Sequence, residues 1–281
     1  MRIALTFALT AALSIASVDA QDARGIIRRS VNVDNRNDRL ARNYTYKVLN
    51  ETRNLDSAGR VKATHTTLDE VLYIGGRRYL HQLEKDGKPL PPDQAKREQA
   101  KLDRAAAEAS RLSDADRRKR EDEEERQRAK RRERVRYIPD AFDFAIVGET
   151  PLNGRDAWQI RATPRRDYKG PYGFMLRNLE GTLWIDKRDY QWVRVEADTL
   201  DTISIGLFLA RIGKGTRLSF ENFRVNDEIW APKHVSLKAS ARLALVRKFD
   251  AEQQLTFSDY RKFQSDSHIV STEAEQENQR P

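Results

Sequence analysis

Side chains with the types and spacing for chemistry are few in this 281-residue chain, and they are scattered. It holds no cysteine, which excludes thiol nucleophiles and thiolate metal sites. The histidines are single: His65, His81, His234 and His268. His65 and His81 fall on neighbouring predicted strands, the best placement for a metal or acid–base pair. Glu84 follows His81 by three residues, a spacing that in a strand points the two side chains to opposite faces. Asp186 and Asp189 are a carboxylate pair, but they sit in a predicted turn, where aspartate bonds local backbone amides. No Gly-x-Ser-x-Gly elbow, His-Glu-x-x-His helix or phosphate-cradling glycine loop occurs. The residues therefore name no catalytic group, no metal site and no cofactor, and histidines on a sheet surface are the plainer reading.

The segment on which the rest depends is Gly181 to Asp198, GTLWIDKRDYQWVRVEAD. Two runs rich in Leu, Ile, Val, Trp and Tyr flank a charged turn, which is the composition of a β-hairpin. A three-residue loop, Lys187 to Asp189, places Leu183, Ile185, Val193 and Val195 on one face and Trp184, Tyr190 and Trp192 on the other. A two-residue loop would mix the sets. On that register the hairpin is apolar on both faces, so its sheet is covered twice or holds an apolar ligand.

Other predicted strands are Asn43–Thr52, Arg60–Tyr73, Arg78–Lys85, Phe142–Val147, Ala157–Thr163, Thr216–Val225, Val235–Val246 and Glu252–Phe263. Ile203 to Ile212 is more apolar than any other stretch after residue 20. Short turns separate these runs, which predicts an antiparallel meander rather than βαβ units. A short helix is predicted within 21–41, broken near Asp34-Asn35. From Asp93 to Arg136 most residues are charged or alanine. Pro91-Pro92 opens that helix, Pro139 lies past its end, and Ser113 is placed as a second N-cap. Leu102, Ala105, Ala109 and Leu112 form a thin apolar stripe that stops at Ser113. The plain reading is a solvated charged helical insertion; the sharper one is a lid or a docking arm for a protein partner.

Arg2, the apolar run Ile3 to Val18 and the small-residue pattern ending at Ala20 read as a secretory signal over residues 1–20, short for a bilayer span. Residues 21–263 are then one domain and 264–281 a polar, disordered tail. No cysteine follows the cleavage point to carry a lipid, and the mature protein is expected in the periplasm. The formal charge is +9. Secretion makes nucleic acid an unsuitable partner for that charge, and peripheral contact with an anionic membrane surface a better one, beside the plain reading of a solvated basic surface.

The run from Gly181 to Asp186, with Tyr190 and Val193 to Glu196, resembles the central hairpin of the outer-membrane lipoprotein carriers, the LolA/LolB-like and RseB-like superfamily. Trp230-Ala231-Pro232 and the terminal Phe257 to Phe263 resemble it too. The resemblance spans roughly Asn43 to Phe263 outside the charged segment. It implies a mainly β fold with helices: a curved antiparallel sheet forming an incomplete barrel, its concave apolar face covered by helices and receiving lipids or lipidated proteins. The cavity candidates are Trp184, Tyr190 and Trp192, or else the aliphatic set, as one wall. Leu207, Phe208, Phe174 and Met175 are candidates for the rim. Ordinary core packing is the alternative for each.

Overall fold

Alternating apolar and polar residues build a 13-stranded sheet in the computed structural model, which describes residues 22–33, 37, 40–56, 58–205, 210–243 and 247–263. One end holds β1 (Tyr44–Leu55), β2 (Val61–Ile74), β3 (Arg77–Lys85) and the short β4 (Lys88–Pro89). The other holds β5 (Phe142–Leu152), β6 (Arg155–Pro164), β7 (Leu179–Asp186) and β8 (Trp192–Thr199). Between them β9 (Ile203–Ile205) and β10 (Ala210–Ile212) hang on the long strands, which are β11 (Arg217–Val225), β12 (Ile229–Leu243) and β13 (Arg247–Lys262). The order is β4-β3-β2-β1-β13-β12-β11-β8-β7-β6-β5, every pairing is antiparallel, and the sheet does not close into a barrel. The predicted signal at 1–20, the tail at 264–281, and Leu207 with Phe208 lie outside the described residues.

Register sorts the sheet into two unlike faces. Cross-strand partners share a face, so one row runs Ile146, Ile160, Leu183, Val195, Phe220, Val235, Leu255 from β5 to β13. A parallel row runs Phe144, Ala162, Gly181, Ala197, Leu218, Leu237. The opposite face reads Arg161, Thr182, Glu196, Ser219, Ser236, Gln254, Glu51, polar throughout. The hairpin keeps Leu183, Ile185 and Val195 on one face and Trp184 on the other as expected, but Trp192 and Tyr190 join the aliphatic side, so the expected aromatic second face does not form.

The reason is the loop. It runs from Lys187 to Tyr190, one residue longer than expected, because Asp186 N–H donates to the Gln191 carbonyl at 2.9 Å and Tyr190 adopts φ +57°. The pairing then steps from Trp184↔Arg194 to Ile185↔Trp192, leaving Val193 as the extra residue of a bulge. That step moves Trp192 to the aliphatic face. Gly181 is required where β7 meets β8, since a Cβ there would stand 2.4 Å from the Glu196 carbonyl oxygen.

Helix α1 (22–33) lays Ala23, Ile26 and Ile27 on the apolar face over Ile160, Leu183, Ile185 and Val195. The short α4 (Ile138–Ala141) and α5 (Gly173–Leu176) add Ala141 and Leu176 to the same core. At the far end α2 (Pro92–Ser110) and α3 (Asp114–Arg136) cross the β2–β3 turn. Ser113 Oγ accepts from the Asp116 amide at 3.1 Å and caps α3, as its position before two aspartates predicts. Among the described residues no helix is long and apolar enough to cross a membrane.

Gly75, at φ +54°, is where the helix pair touches the sheet: a Cβ there would lie 2.7 Å from the Ala109 Cβ. Gly75→Ala combines that overlap with an unfavourable backbone conformation. It is expected to cost about 1–3 kcal/mol, read by thermal unfolding, and to speed amide exchange in α2 before it does so in the Ile160 core.

Candidate functional site

Burial along the apolar row falls from β6 toward β13. Ile160 is inaccessible and Leu183 nearly so beneath α1, whereas Phe220, Val235 and Leu255 are only half buried. In the neighbouring row Leu218 is 39% exposed. The middle of the sheet therefore carries apolar side chains that its own helices cover incompletely. Phe220 marks the boundary, stacked on Trp192 with 11° between the ring planes.

Aromatic side chains continue the row toward the β2–β3 end. Phe257 lies two residues beyond Leu255 on the same face of β13, tilted against Tyr46, which in turn stacks on Tyr260 at 5.1 Å. Tyr46 and Tyr260 line a cavity of about 350 Å3, with Tyr73, Trp230 and Pro232 in its apolar wall. Arg78 of β3 and Glu124 and Arg128 of α3 are its charged lining. Burial pushes the Tyr260 phenol well above its ordinary value. Its hydroxyl donates to the Pro232 carbonyl at 2.5 Å, and it serves as a neutral wall.

Trp230 joins this cavity to the β7–β8 hairpin. Asn37 clasps its backbone, accepting from the Trp230 amide at 2.6 Å and donating to its carbonyl at 2.7 Å. Its indole N–H donates to Asp189 at 3.0 Å, and Asp189 also receives Arg155 at 3.1 Å and Arg224. Behind these, Arg155 grips Asp186 through Nε at 2.7 Å and Nη2 at 2.8 Å. Asp186 is inaccessible and also accepts the amides of Arg188 and Asp189. Burial acts to raise this carboxyl, but the Arg155 bonds and the two amides outweigh it and hold it below its ordinary value. The two aspartates are thus structural, as their position in a turn suggested.

The sequence-predicted site residues do not converge on one cavity. Trp192 packs against the α1 core and donates from its indole to Ser30 Oγ at 2.7 Å. Tyr190 lies under the Arg29 guanidinium at 3.8 Å and tilts against Trp158. Trp184 is buried on the polar face, beneath Arg194 at 5.2 Å. Met175 packs against the α1 core, and Phe174 beside it is 51% exposed. His65 lies on the apolar-row side of β2, while His81, opposite Glu70, is on the other, so they form no pair. No group of three His, Asp or Glu placed to hold a metal ion occurs among the described residues. The cavity residues missed from sequence, Tyr46, Tyr73, Arg78 and Arg128, carry no motif; only the strand alternation that sets Tyr46 and Tyr73 on one face would have grouped two of them.

Fold and site together define an open antiparallel sheet with one apolar face, partly roofed by helices. Its structural neighbours are DUF1329 proteins, LolA superfamily proteins and MucB. A DUF1329 family protein from Desulfovibrio piger matches with a TM-score of 0.34 and 11% identity, over 89% of this chain and 95% of that one. A LolA superfamily protein from Nitrosomonas europaea matches with 0.33 and 12% identity, over 86% and 93%. MucB in the Pseudomonas aeruginosa MucA/MucB complex matches with 0.23 and 11% identity, over 87% and 100%. At these identities the likeness concerns the course of the strands alone. Neither a family model nor a curated protein sequence matches the chain.

Proposed function

We propose that this is a secreted, periplasmic, non-enzymatic carrier that holds an acyl chain, free or on a lipidated protein, against the apolar face of an incomplete barrel. The observation that carries this reading is the fading cover along one row, from inaccessible Ile160 to half-buried Val235 and Leu255. Each methylene removed from water contributes about 0.8 kcal/mol. Laying about six of them along Phe220, Val235, Leu237 and Leu255 gives roughly 5 kcal/mol, enough for sub-millimolar binding. Trp192, Tyr190 and Met175 bound this face on the α1 side, and the exposed Phe174 forms its rim. The polar opposite face faces solvent. A fluorescent fatty acid titrated into the purified protein tests the reading: saturable binding, displaced by an unlabelled chain, supports it, and no binding at solubility-limited concentration refutes it.

One observation favours a second reading, a sensor or docking module. The 23-residue α3 buries none of its described residues fully, so it adds little to the core, and its charged surface is available to a protein partner. Deleting 93–136 separates the two: a carrier keeps acyl binding, whereas a docking module folds and loses its partner.

A further inference from the structure

The cavity beneath α3 has a chemistry that a bare acyl chain does not require. Arg78 comes from β3 and Arg128 from α3, elements far apart in sequence, yet both line one aromatic-walled space of about 350 Å3. None of the ion pairs among the described residues uses either guanidinium. Glu124, one helical turn before Arg128, is the single carboxylate in the lining. Two guanidinium forks against one carboxylate repel a lone cation and favour an oxyanion, whose geometry they match. The rings of Tyr46, Tyr73 and Tyr260 line the same space and replace part of the water around such an ion pair, which strengthens it.

We infer that this cavity is the headgroup site of an anionic amphiphile. A phosphate or carboxylate is held between Arg78 and Arg128, and the apolar body passes over Phe257 onto the Val235–Leu255 row. The continuity is structural: Tyr46 lines the cavity and also touches Phe257, whose strand neighbour on that face is Leu255. The size of the cavity suits a headgroup and the first few methylenes rather than a whole lipid. This inference rests on the carrier reading and adds the class of ligand to it.

The test is calorimetric titration of the full mature chain with dihexanoyl phosphatidate, with neutral dihexanoyl glycerol, and with inorganic phosphate. Phosphatidate should bind at least about tenfold tighter than the neutral glyceride, since charged hydrogen bonds are gained. Arg78→Gln and Arg128→Gln should each lose about tenfold for phosphatidate and leave glyceride binding unchanged. Unchanged melting temperatures establish that the variants are folded. Equal affinity for the two diacyl probes, or phosphatidate binding insensitive to both substitutions, would overturn the headgroup site and leave the carrier reading standing. Inorganic phosphate binding as tightly as phosphatidate would overturn the amphiphile in favour of a plain phosphate site. No binding of either diacyl probe would overturn the carrier reading itself.

Discussion

Replacing Asp186 with alanine should lower the stability of the fold by about 3–5 kcal/mol in denaturant unfolding, the cost of stranding one partner of a buried ion pair. The carboxylate is inaccessible, takes two bonds from Arg155, and holds the amides of Arg188 and Asp189 that shape the hairpin loop. Its loss leaves Arg155 beside Asp189 alone and frees the turn that sets the β7–β8 register. Asp198→Ala, which breaks the exposed pair with Arg217, should cost no more than about 1 kcal/mol.

The same substitution has a pH signature. Folding lowers the Asp186 pKa below the unfolded value of about 4, so in acid the unfolded chain takes up the proton first. The stability from Asp186 is therefore complete above about pH 4 and is lost as pH falls below that toward the folded value. In Asp186→Ala the acid limb should be shallower. It should not be flat, because Lys262 lowers Glu228, and Lys47 lowers Asp259, in the same direction.

The second large effect concerns the ligand. Leu255→Glu should weaken acyl-chain binding by about a hundredfold or more, because a carboxylate on the half-buried row must be desolvated against the chain or neutralised. The protein should still fold, since the side chain at 255 retains partial access to water. Ser236→Glu is the control. It sits beside the same strands on the polar face, opposite Gln254, and should leave binding unchanged. Equal loss in both variants would mean that the effect is general and that the apolar row is not the binding surface.

Much of this was legible in the residues, for physical reasons that differ by element. Strand alternation and Gly or Asn turns located the meander, because a half-buried strand writes its period directly into the sequence. Ser113 announced the start of α3 because a cap is a local interaction. The hairpin faces were misassigned because the side chain of Asp186 bonds two amides and lengthens the loop, and the compensating bulge at Val193 leaves no compositional trace. The Arg155–Asp186 pair and the meeting of Arg78 with Arg128 were invisible for another reason. Each joins side chains on two separate elements, β6 with β7 and β3 with α3, and no local pattern specifies how those elements meet. Trp230, Pro232 and Tyr260, by contrast, stood within the segments that carried the family resemblance, and the structure brings them to one cavity.

The central claim, that the apolar face holds a lipid, is tested most directly by native mass spectrometry of protein released from the periplasm, followed by solvent extraction. The expected result is a population heavier than the polypeptide by the mass of an acyl lipid, which extraction recovers and Leu255→Glu depletes. Protein of polypeptide mass alone, yielding no extractable lipid and neither binding nor transferring a labelled acyl chain, would contradict it.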